Sequence, residues 1–399
     1  VPSGASTGEH EAVELRDGDR SRFNGRGVLT AVNNVNGPIR DLLLWRDGDD
    51  QDGVDRAMNG MDGTDNKSYL GANAILAVSM ALLKASAASQ GIPLYRRIAS
   101  LTGVFQPVET PAPMFNVLNG GAHAEGSTDF QEFMFMPVGV DSVSQAIRAA
   151  SEIYHSLRRL LHEDGVSTAV GDEGGFAPPG LTTRGALDYM MKAIEAAGYR
   201  PGDQVALALD PAASEFATRG ADGASRYELK RVGQTLSTEE MIEEYRSLAA
   251  DYPIVSIEDG LAEDDWDGWR DLTAALGDRV QLVGDDLFVT QTRYLEEGIK
   301  TGAGNAILIK VNQVGTVTET LEAMRTAREA GWNAVVSHRS GETEDTTIAD
   351  LAVGARSGQI KTGAPARSDR VAKYNRLLNI EDELEHRAVY AGPSLFRGR

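Results

Sequence analysis

The sequence predicts an α/β fold in which a TIM-like, eight-stranded barrel follows a smaller α+β domain. Short apolar runs alternate with helical stretches over the second half of the chain, and six of them in succession end in a charged residue. These runs are residues 205–210, 253–258, 280–285, 305–310, 334–338 and 359–361. Strand–helix alternation is typical of a parallel barrel, whose strands carry their functional groups at one rim, the carboxyl end. The charged ends therefore predict one shared site.

The composition is that of a soluble globular protein and excludes several classes of function. The chain has 399 residues, of which 41% are hydrophobic and 25% charged, enough for a large core. A net charge of −20 argues against nucleic acid or an anionic membrane as a general partner. The absence of cysteine excludes disulfides and thiolate chemistry, and it fits a cytoplasmic location. Residues 71–88 are apolar but interrupted by polar side chains, which predicts a buried helix and no membrane insertion.

Residues 1–106 are predicted to form the N-terminal domain, which is mostly helical and poor in strands. It opens with a Gly/Ser/Thr loop, residues 1–8. Apolar residues at helical spacing predict helices over residues 28–44, 52–61 and 73–89. Residues 107–113, PVETPAP, are the predicted linker, because proline continues neither a helix nor a central strand. The barrel domain accordingly spans residues 107–399.

The barrel domain begins with elements that are clear in the sequence. Strands are predicted over residues 114–118 and 132–138, and helices over residues 142–163 and 184–197. Further on, Ser237 and Glu240 form a capping box ahead of an apolar run at helical spacing. This pair predicts the start of another barrel helix.

Three acids end successive predicted strands, and together they indicate a metal site. Asp210, Glu258 and Asp285 would repel one another by roughly 4 kcal/mol per pair at about 4 Å and an effective dielectric of 20. A divalent cation removes that cost, and an all-oxygen set favours Mg²⁺ over Zn²⁺. Any one of them could instead face solvent or cap the next helix. The repetition over three strands favours the metal.

Two lysines follow short apolar runs at the same predicted rim. Lysine is rarely buried unless anions lie nearby. Lys310 and Lys361 could therefore each simply form a structural ion pair. As a pair beside a metal, each cation lowers the pKa of the other, and a neutral lysine can act as a base. The sequence leaves both interpretations open.

Weaker candidates surround these residues. His338 and Arg339 follow a buried strand in SHRSGE and could form an anion clamp. His123 lies in the flexible NGGAH loop, Glu132 begins a predicted strand, and Glu173 lies in the glycine-flanked GDEGG. Taken singly, each of these three could be structural.

The motifs as a set resemble the enolase family. They are SGASTG, NGGxH, QEF, GDEGGFAP, SIEDGxxEDDW, GDDL, LIKVNQxGT, SHRSGET and IKTGAPARSDR, in unbroken order from residue 1 to about residue 379. Variants such as IEDGLAEDDW resemble the bacterial type. The resemblance implies reversible dehydration of 2-phosphoglycerate to phosphoenolpyruvate with two Mg²⁺ ions per site, a homodimer or ring of dimers, and a cytoplasmic enzyme for which surface display is a secondary possibility.

The resemblance also implies a role for each matching residue. Asp210, Glu258 and Asp285 would hold the first metal ion, and Ser6 the second. Lys310 would take the C2 proton, Glu173 would help the C3 hydroxyl group leave, and Asp286 would line the site. The residues implied in catalysis are Lys310, Glu173, Glu132, His123 and Lys361. Those implied in substrate binding are His123, Gln131, Glu132, Lys310, His338, Arg339, Ser340 and Lys361.

These roles carry an expectation about protonation. A base at Lys310 must be neutral and an acid at Glu173 must be protonated, so their surroundings should move the two pKa values toward each other. The enolase family also has a strand-rich segment before SGASTG. That segment is expected to be missing here, which would leave the N-terminal domain incomplete and the anchoring of Ser6 weakened.

Three other functions fit parts of the pattern. Another acid lyase or racemase could use the same scaffold, although SHRSGE and the Ser6 loop suit a phosphorylated substrate. A catalytically silent binding protein is a second alternative, against which the presence of Lys310 and Glu173 argues. A serine hydrolase is a third, since GASTG matches the nucleophile elbow around Ser6.

Overall fold

The computed structural model describes residues 1–4, 8–124 and 126–396. Its N-terminal part is helical, as predicted, and among the described residues the first named strand begins at Glu109. The helices are α1 (Leu29–Asn34), α2 (Arg40–Leu43), α3 (Gln51–Asp62), α4 (Ala72–Ser89) and α5 (Leu94–Thr102). A π-helical turn, Val35–Ile39, joins α1 to α2 and contains Pro38. Because proline removes one backbone donor, the wider turn accommodates it without ending the helix.

Helix α4 confirms the predicted buried helix. By length and composition it could cross a membrane, but half of its apolar window is buried inside the protein. Leu76, Met80 and Leu83 join the core of the barrel, whereas Ala74 and Ile75 pack in a smaller cluster of the N-terminal part. The helix therefore ties the two parts of the chain together.

Eight strands close into a barrel, which confirms the predicted fold class. In chain order the strands of the protein are β1 (Glu109–Thr110), β2 (Ala112–Asn119), β3 (Glu132–Met136), β4 (Ala206–Asp210), β5 (Ala217–Arg219), β6 (Ser225–Leu229), β7 (Gln234–Ser237), β8 (Ile254–Glu258), β9 (Gln281–Gly284), β10 (Ala306–Ile309), β11 (Asn333–Ser337), β12 (Gly358–Lys361) and β13 (Val389–Tyr390). The barrel order is β2-β3-β4-β8-β9-β10-β11-β12, closing on β2. Strands β5 to β7 form a separate small sheet, and β1 pairs with β13.

The barrel is not wholly parallel, which corrects the sequence prediction. Strand β3 is antiparallel to both of its neighbours, β2 and β4. The described residues of the loop from β2 to β3 form no α-helix. A short connection of that kind suits an antiparallel pair, whereas parallel strands need a longer crossover. As a consequence, the first residue of β3 lies at the rim where the other strands end. Glu132 pairs there with Asp210.

The predicted linker also needs a correction. Ala112 and Pro113 lie in barrel strand β2 and pair with β12. Strand β3 pairs with β2 only from Phe115 onward, so Pro113 lies where β2 has a single neighbour. Proline is tolerated at such edge-like positions because no ladder donor is needed on the open side.

Helices pack around the barrel between its strands. They are α6 (Val143–Glu163), α7 (Thr183–Ala196), α8 (Thr238–Asp251), α9 (Trp266–Leu276), α10 (Thr292–Thr301), α11 (Val311–Val314), α12 (Val317–Glu329), α13 (Thr347–Gly354) and α14 (Ser368–Leu384). The predicted capping box at the start of α8 is confirmed, since Ser237 and Glu240 bond each other's backbone N–H groups.

Candidate active site

The predicted charged residues meet at one rim of the barrel. Asp210, Glu258 and Lys361 are the last residues of β4, β8 and β12. Reversed β3 adds a residue from its first position, Glu132. The pocket at this rim is lined by His123, Gln131, Glu132, Glu173, Asp210, Ala212, Asp259, Asp285, Asp286, Lys310, Ser337, His338, Arg339, Ser340 and Lys361.

Lys361 lies among three buried carboxylates. Its Nζ is 2.7 Å from Asp210 Oδ2, 2.9 Å from both carboxylate oxygens of Glu258 and 3.1 Å from Glu132 Oε2. Burial lowers the pKa of Lys361, but Asp210, Glu132 and Glu258 outweigh it and raise that pKa well above its usual value. In this structure, therefore, Asp210 and Glu258 bind an ammonium group at the place where the sequence predicts a metal ion.

Lys310 forms a second ion pair at the rim, with Asp285. The other oxygen of that carboxylate, Oδ1, accepts a 2.8 Å bond from Gln313 Nε2. Burial lowers the pKa of Lys310, but the carboxylates of Asp285, Glu258 and Asp286 together outweigh burial and raise the net pKa. This direction is opposite to the neutral lysine that the sequence analysis expects.

Asp259 organises the acidic side of the pocket. Its two oxygens accept bonds from the backbone N–H groups of Asp285 (2.9 Å) and Asp286 (3.0 Å). The ligand atoms of these three acids all lie within 4.8 Å of one another. Burial and then the charge of Asp285 raise the pKa of Asp286 to about 8. The ionised form of this cluster is therefore costly in the folded protein.

His123, Glu132 and Glu173 form the other compact cluster, again with ligand atoms within 4.8 Å of one another. His123 Nδ1 is 3.7 Å from Glu132 Oε1 and 3.9 Å from Glu173 Oε1. Both ring nitrogens of His123 are buried, and neither has a hydrogen-bond partner among the described residues. Unpaired buried polar atoms are costly, so this imidazole is available to a ligand that enters the pocket.

Glu173 is held from two sides. Asn116 Nδ2 donates to its Oε2 at 2.8 Å, and His338 Nε2 lies 3.5 Å from the same oxygen. Burial lowers the pKa of His338 to about 3, so this imidazole is neutral at pH 7. Burial raises the pKa of Glu173, but His338, His123 and Arg370 together hold it well below its usual range. The expected protonated Glu173 is thus not favoured in this structure.

Arg339 is paired across a long sequence distance. Its guanidinium group donates two bonds to the carboxylate of Glu11, at 3.0 and 3.1 Å, and one of 2.8 Å to Asn312 Oδ1. Both charged side chains are buried. The predicted anion clamp therefore lies at the rim, where an internal carboxylate binds it.

Comparison with protein families decides the relationship of the chain. The family model described as "Enolase, C-terminal TIM barrel domain" matches residues 107–398, and "Enolase, N-terminal domain" matches residues 1–98. The chain belongs to the enolase family. The bacterial type and the missing strand segment remain predictions.

The structure of this enolase-family protein brings together every predicted site residue that it describes. Ser6, the predicted ligand of a second metal ion, lies outside the described residues. Further residues contact the predicted set although the sequence analysis gave them no role, and among them are Glu11, Asn116, Asp259 and Arg370. Asp259 and Arg370 had a signal in the sequence, because they lie within the motifs SIEDG and IKTGAPARSDR.

The rim residues fit a divalent cation of the kind that the enolase family generally uses. All of the acidic donors are oxygen atoms, which suit Mg²⁺. Burial, followed by neighbouring carboxylates, raises the pKa values of Glu132, Glu258 and Asp259 well above the usual range. A group of buried acids whose charge is costly gains from a cation. The oxygen donors and the cost of their negative charge therefore both favour a bound cation.

The enclosed space is small. The cavity at the rim measures about 30 Å³, room for roughly two water molecules. Lys310 and Lys361 reach into this space to contact their carboxylates. Binding of a small phosphorylated substrate of the kind used by the enolase family would thus require these contacts, or the surrounding loops, to rearrange.

Proposed function

We propose that the protein is a carbon–oxygen lyase that interconverts 2-phospho-D-glycerate and phosphoenolpyruvate in glycolysis. The observation that carries the proposal is the convergence of Lys310, Lys361 and the Glu173 cluster on one buried acidic rim. A base, an acid and a group that stabilises negative charge are what this dehydration needs.

The first step is removal of the C2 proton, for which Lys310 is the proposed base. This proton is a very weak acid, because its removal adds a second negative charge to an ionised carboxylate. A general base typically supplies only about 10²–10⁴-fold, so the enediolate charge itself must be stabilised. Lys361 is the proposed charge partner within the chain.

Two Mg²⁺ ions, when bound, would supply the remaining neutralisation, and Asp210, Glu258, Asp285 and Ser6 are the residues proposed to hold them. If Asp285 were engaged in this way, it would no longer favour the ammonium form of Lys310. The pKa of Lys310 would then fall toward the value that a base requires.

The second step is departure of the C3 hydroxyl group, for which Glu173 is the proposed acid. Its neighbours favour the ionised form in this structure, but a negatively charged substrate nearby raises the pKa of a carboxyl group. Glu132 and His123 adjoin Glu173 and are proposed to support it. Arg339 and Ser340 are proposed to bind the phosphate side of the substrate. Arg339 would either bind the phosphate in addition to Glu11 or exchange Glu11 for it.

The test is formation of phosphoenolpyruvate from 2-phosphoglycerate, followed by absorbance with and without Mg²⁺. Lys310→Met should abolish both product formation and exchange of the C2 proton with solvent. Glu173→Gln should block product but retain C2 exchange, because it removes only the second step. Lys300→Met, at an exposed ion pair with Glu297, is the control and should remain active. Folded protein without magnesium-dependent product would refute the proposal.

A homodimer or ring of dimers and a cytoplasmic location belong to the same proposal. Light scattering coupled to gel filtration measures the first, and fractionation of the producing cells the second. A monomer at micromolar concentration would contradict the assembly without affecting the chemistry.

A further inference from the structure

Arg370 is a fully buried arginine that the mechanism above does not use. It lies near the start of α14, and its side chain runs against Gly363, where an added Cβ would come within 2.8 Å of Arg370 Cδ. Gly363 is also at φ +88°, a conformation that favours glycine. A glycine at position 363 therefore leaves room for the Arg370 side chain to pack behind the pocket.

The guanidinium group of Arg370 joins two loops of the pocket. Nη1 donates to the carbonyl oxygen of Arg339 at 2.6 Å, and Nη2 to that of Ser340 at 2.8 Å. Nη2 also donates to the carbonyl oxygen of Asp172 at 3.3 Å. Asp172 directly precedes the proposed acid, so one side chain links the loop of the acid to the loop of the phosphate clamp.

The same group also contacts a ring nitrogen, Nδ1 of His338. An arginine can only donate, so Nδ1 must be the acceptor in this contact. The proton of the neutral imidazole is then on Nε2, the nitrogen that lies 3.5 Å from Glu173 Oε2. With the other tautomer, Nδ1–H would face a donor, and Glu173 would lose the N–H of His338 and keep only that of Asn116 on this oxygen.

We propose that Arg370 is a positioning residue. It fixes His338 in the Nε2–H tautomer facing Glu173, and it holds the Arg339–Ser340 loop in a fixed position relative to Glu173. The tautomer follows from the contacts alone. Its consequence for catalysis rests on the proposed function. Arg370 touches no reacting atom and acts through His338 and the two loops.

The experiment reads the tautomer directly. Protein labelled with ¹⁵N-histidine is studied by two-bond ¹H–¹⁵N correlation near pH 7, and His338→Gln identifies the relevant signals among the six histidines. Wild-type protein should show His338 with Nδ1 unprotonated and Nε2 protonated. Arg370→Ala should give a mixture of tautomers, and added guanidinium chloride at low concentration should restore the single form.

Activity provides the second readout. Arg370→Ala should lower kcat by about 10²-fold, with a smaller change in KM, because misplacement by about 1 Å costs that much. Guanidinium should recover part of the loss. The control is Arg367→Lys, at an exposed arginine one turn earlier, 3.6 Å from Asp369, and it should change neither readout.

Two results would overturn the proposal: a wild-type His338 that is protonated on Nδ1, or a folded Arg370→Ala that keeps the pure Nε2–H form. If Arg370→Ala does not fold, the wild-type spectrum decides by itself. The spectrum does not depend on turnover, so a protein that shows the tautomer but makes no phosphoenolpyruvate refutes the proposed function and leaves the positioning role standing.

Discussion

At the residue scale, Lys361 is the side chain on which the buried acids of the rim depend most. Its ammonium group is shared by Asp210, Glu258 and Glu132 within 3.1 Å. A buried ion pair contributes little net stability when complete, but removing one partner leaves uncompensated charge.

Lys361→Met should therefore lower the free energy of unfolding by about 3–5 kcal/mol, the typical effect of breaking a buried pair. Urea unfolding followed by circular dichroism measures the change. Lys300→Met, at a surface ion pair, should stay within about 0.5 kcal/mol of wild type. Equal effects of the two substitutions would show that the rim acids are neutral in the folded protein.

Single residues of the site were predictable from sequence when they end a strand. Asp210, Glu258 and Lys361 end barrel strands, and Asp285 and Lys310 directly follow them. Glu11 was not predictable, because its partner Arg339 is 328 residues away and no local periodicity records the pair. Asp259 has a φ of +43°, and this local turn directs its carboxylate at the backbone N–H groups of Asp285 and Asp286, which follow β9. Patterning cannot show such a turn.

At the element scale, the loop between β2 and β3 positions His123, and Gly120 is its tightest point. A Cβ there would lie 1.8 Å from Thr128 Oγ1 and 2.4 Å from the carbonyl oxygen of Phe130. The backbone N–H of His123 bonds to the carbonyl oxygen of Gly120 at 3.0 Å. Any shift of this glycine therefore moves the imidazole.

Gly120→Ala should lower the free energy of unfolding by about 1–3 kcal/mol, since overpacking forces the loop backbone to move. It should also lower kcat/KM. The matched change Gly60→Ala, in α3 with open space around the new methyl group, should instead stabilise by about 0.5–1 kcal/mol. Denaturant melts of both variants test the pair, and a neutral Gly120→Ala would contradict the packing.

Helix α14 carries a second buried cation, Lys373, which supports the loop of the phosphate clamp. Its Nζ donates to the carbonyl oxygens of Thr343 and Asp369 and lies 3.6 Å from Glu342 Oε1. Burial lowers the pKa of Lys373 more than Glu342 raises it. The folded protein therefore releases this proton at a lower pH than the unfolded chain.

The sign of the pH dependence follows from that difference. Between the lowered pKa and the ordinary value of 10.5, the unfolded chain binds more protons, so the contribution of Lys373 to stability rises with pH. The stability of wild type relative to Lys373→Met should accordingly increase as the pH rises toward 10.5. Unfolding free energies at several pH values measure it, and a pH-independent difference would exclude the lowered pKa.

Elements as such were largely predictable, but their direction was not. The apolar runs gave the positions of the barrel strands because a strand covered on both faces must be apolar throughout. The reversal of β3 depends on the loop that joins it to β2. This loop has twelve residues without helical spacing, so the sequence is equally compatible with a long loop between parallel strands. That reversal is what brings Glu132 to the rim.

At the scale of the whole molecule, the helical N-terminal part and the barrel are joined through buried polar contacts. Lys67 Nζ is 2.9 Å from Glu319 Oε1, and Asp55 accepts bonds from the backbone N–H and hydroxyl group of Thr318. The Glu11–Arg339 pair extends this contact to the rim itself. The sequence predicted the two parts separately, but contacts between elements so far apart in the chain leave no pattern in it.

The net charge of −20 and the acidic rim give the last prediction, which concerns magnesium. An ion that binds only the folded protein stabilises it, by about 2.7 kcal/mol at a concentration of 100 Kd. Adding Mg²⁺ to protein treated with EDTA should therefore raise Tm measurably in differential scanning calorimetry. Asp285→Asn should remove most of this response, because it deletes a proposed ligand, whereas Asp267→Asn at an exposed position should retain it. The same rise in Tm in both variants would mean that Mg²⁺ acts on the overall charge of the molecule and not at the rim.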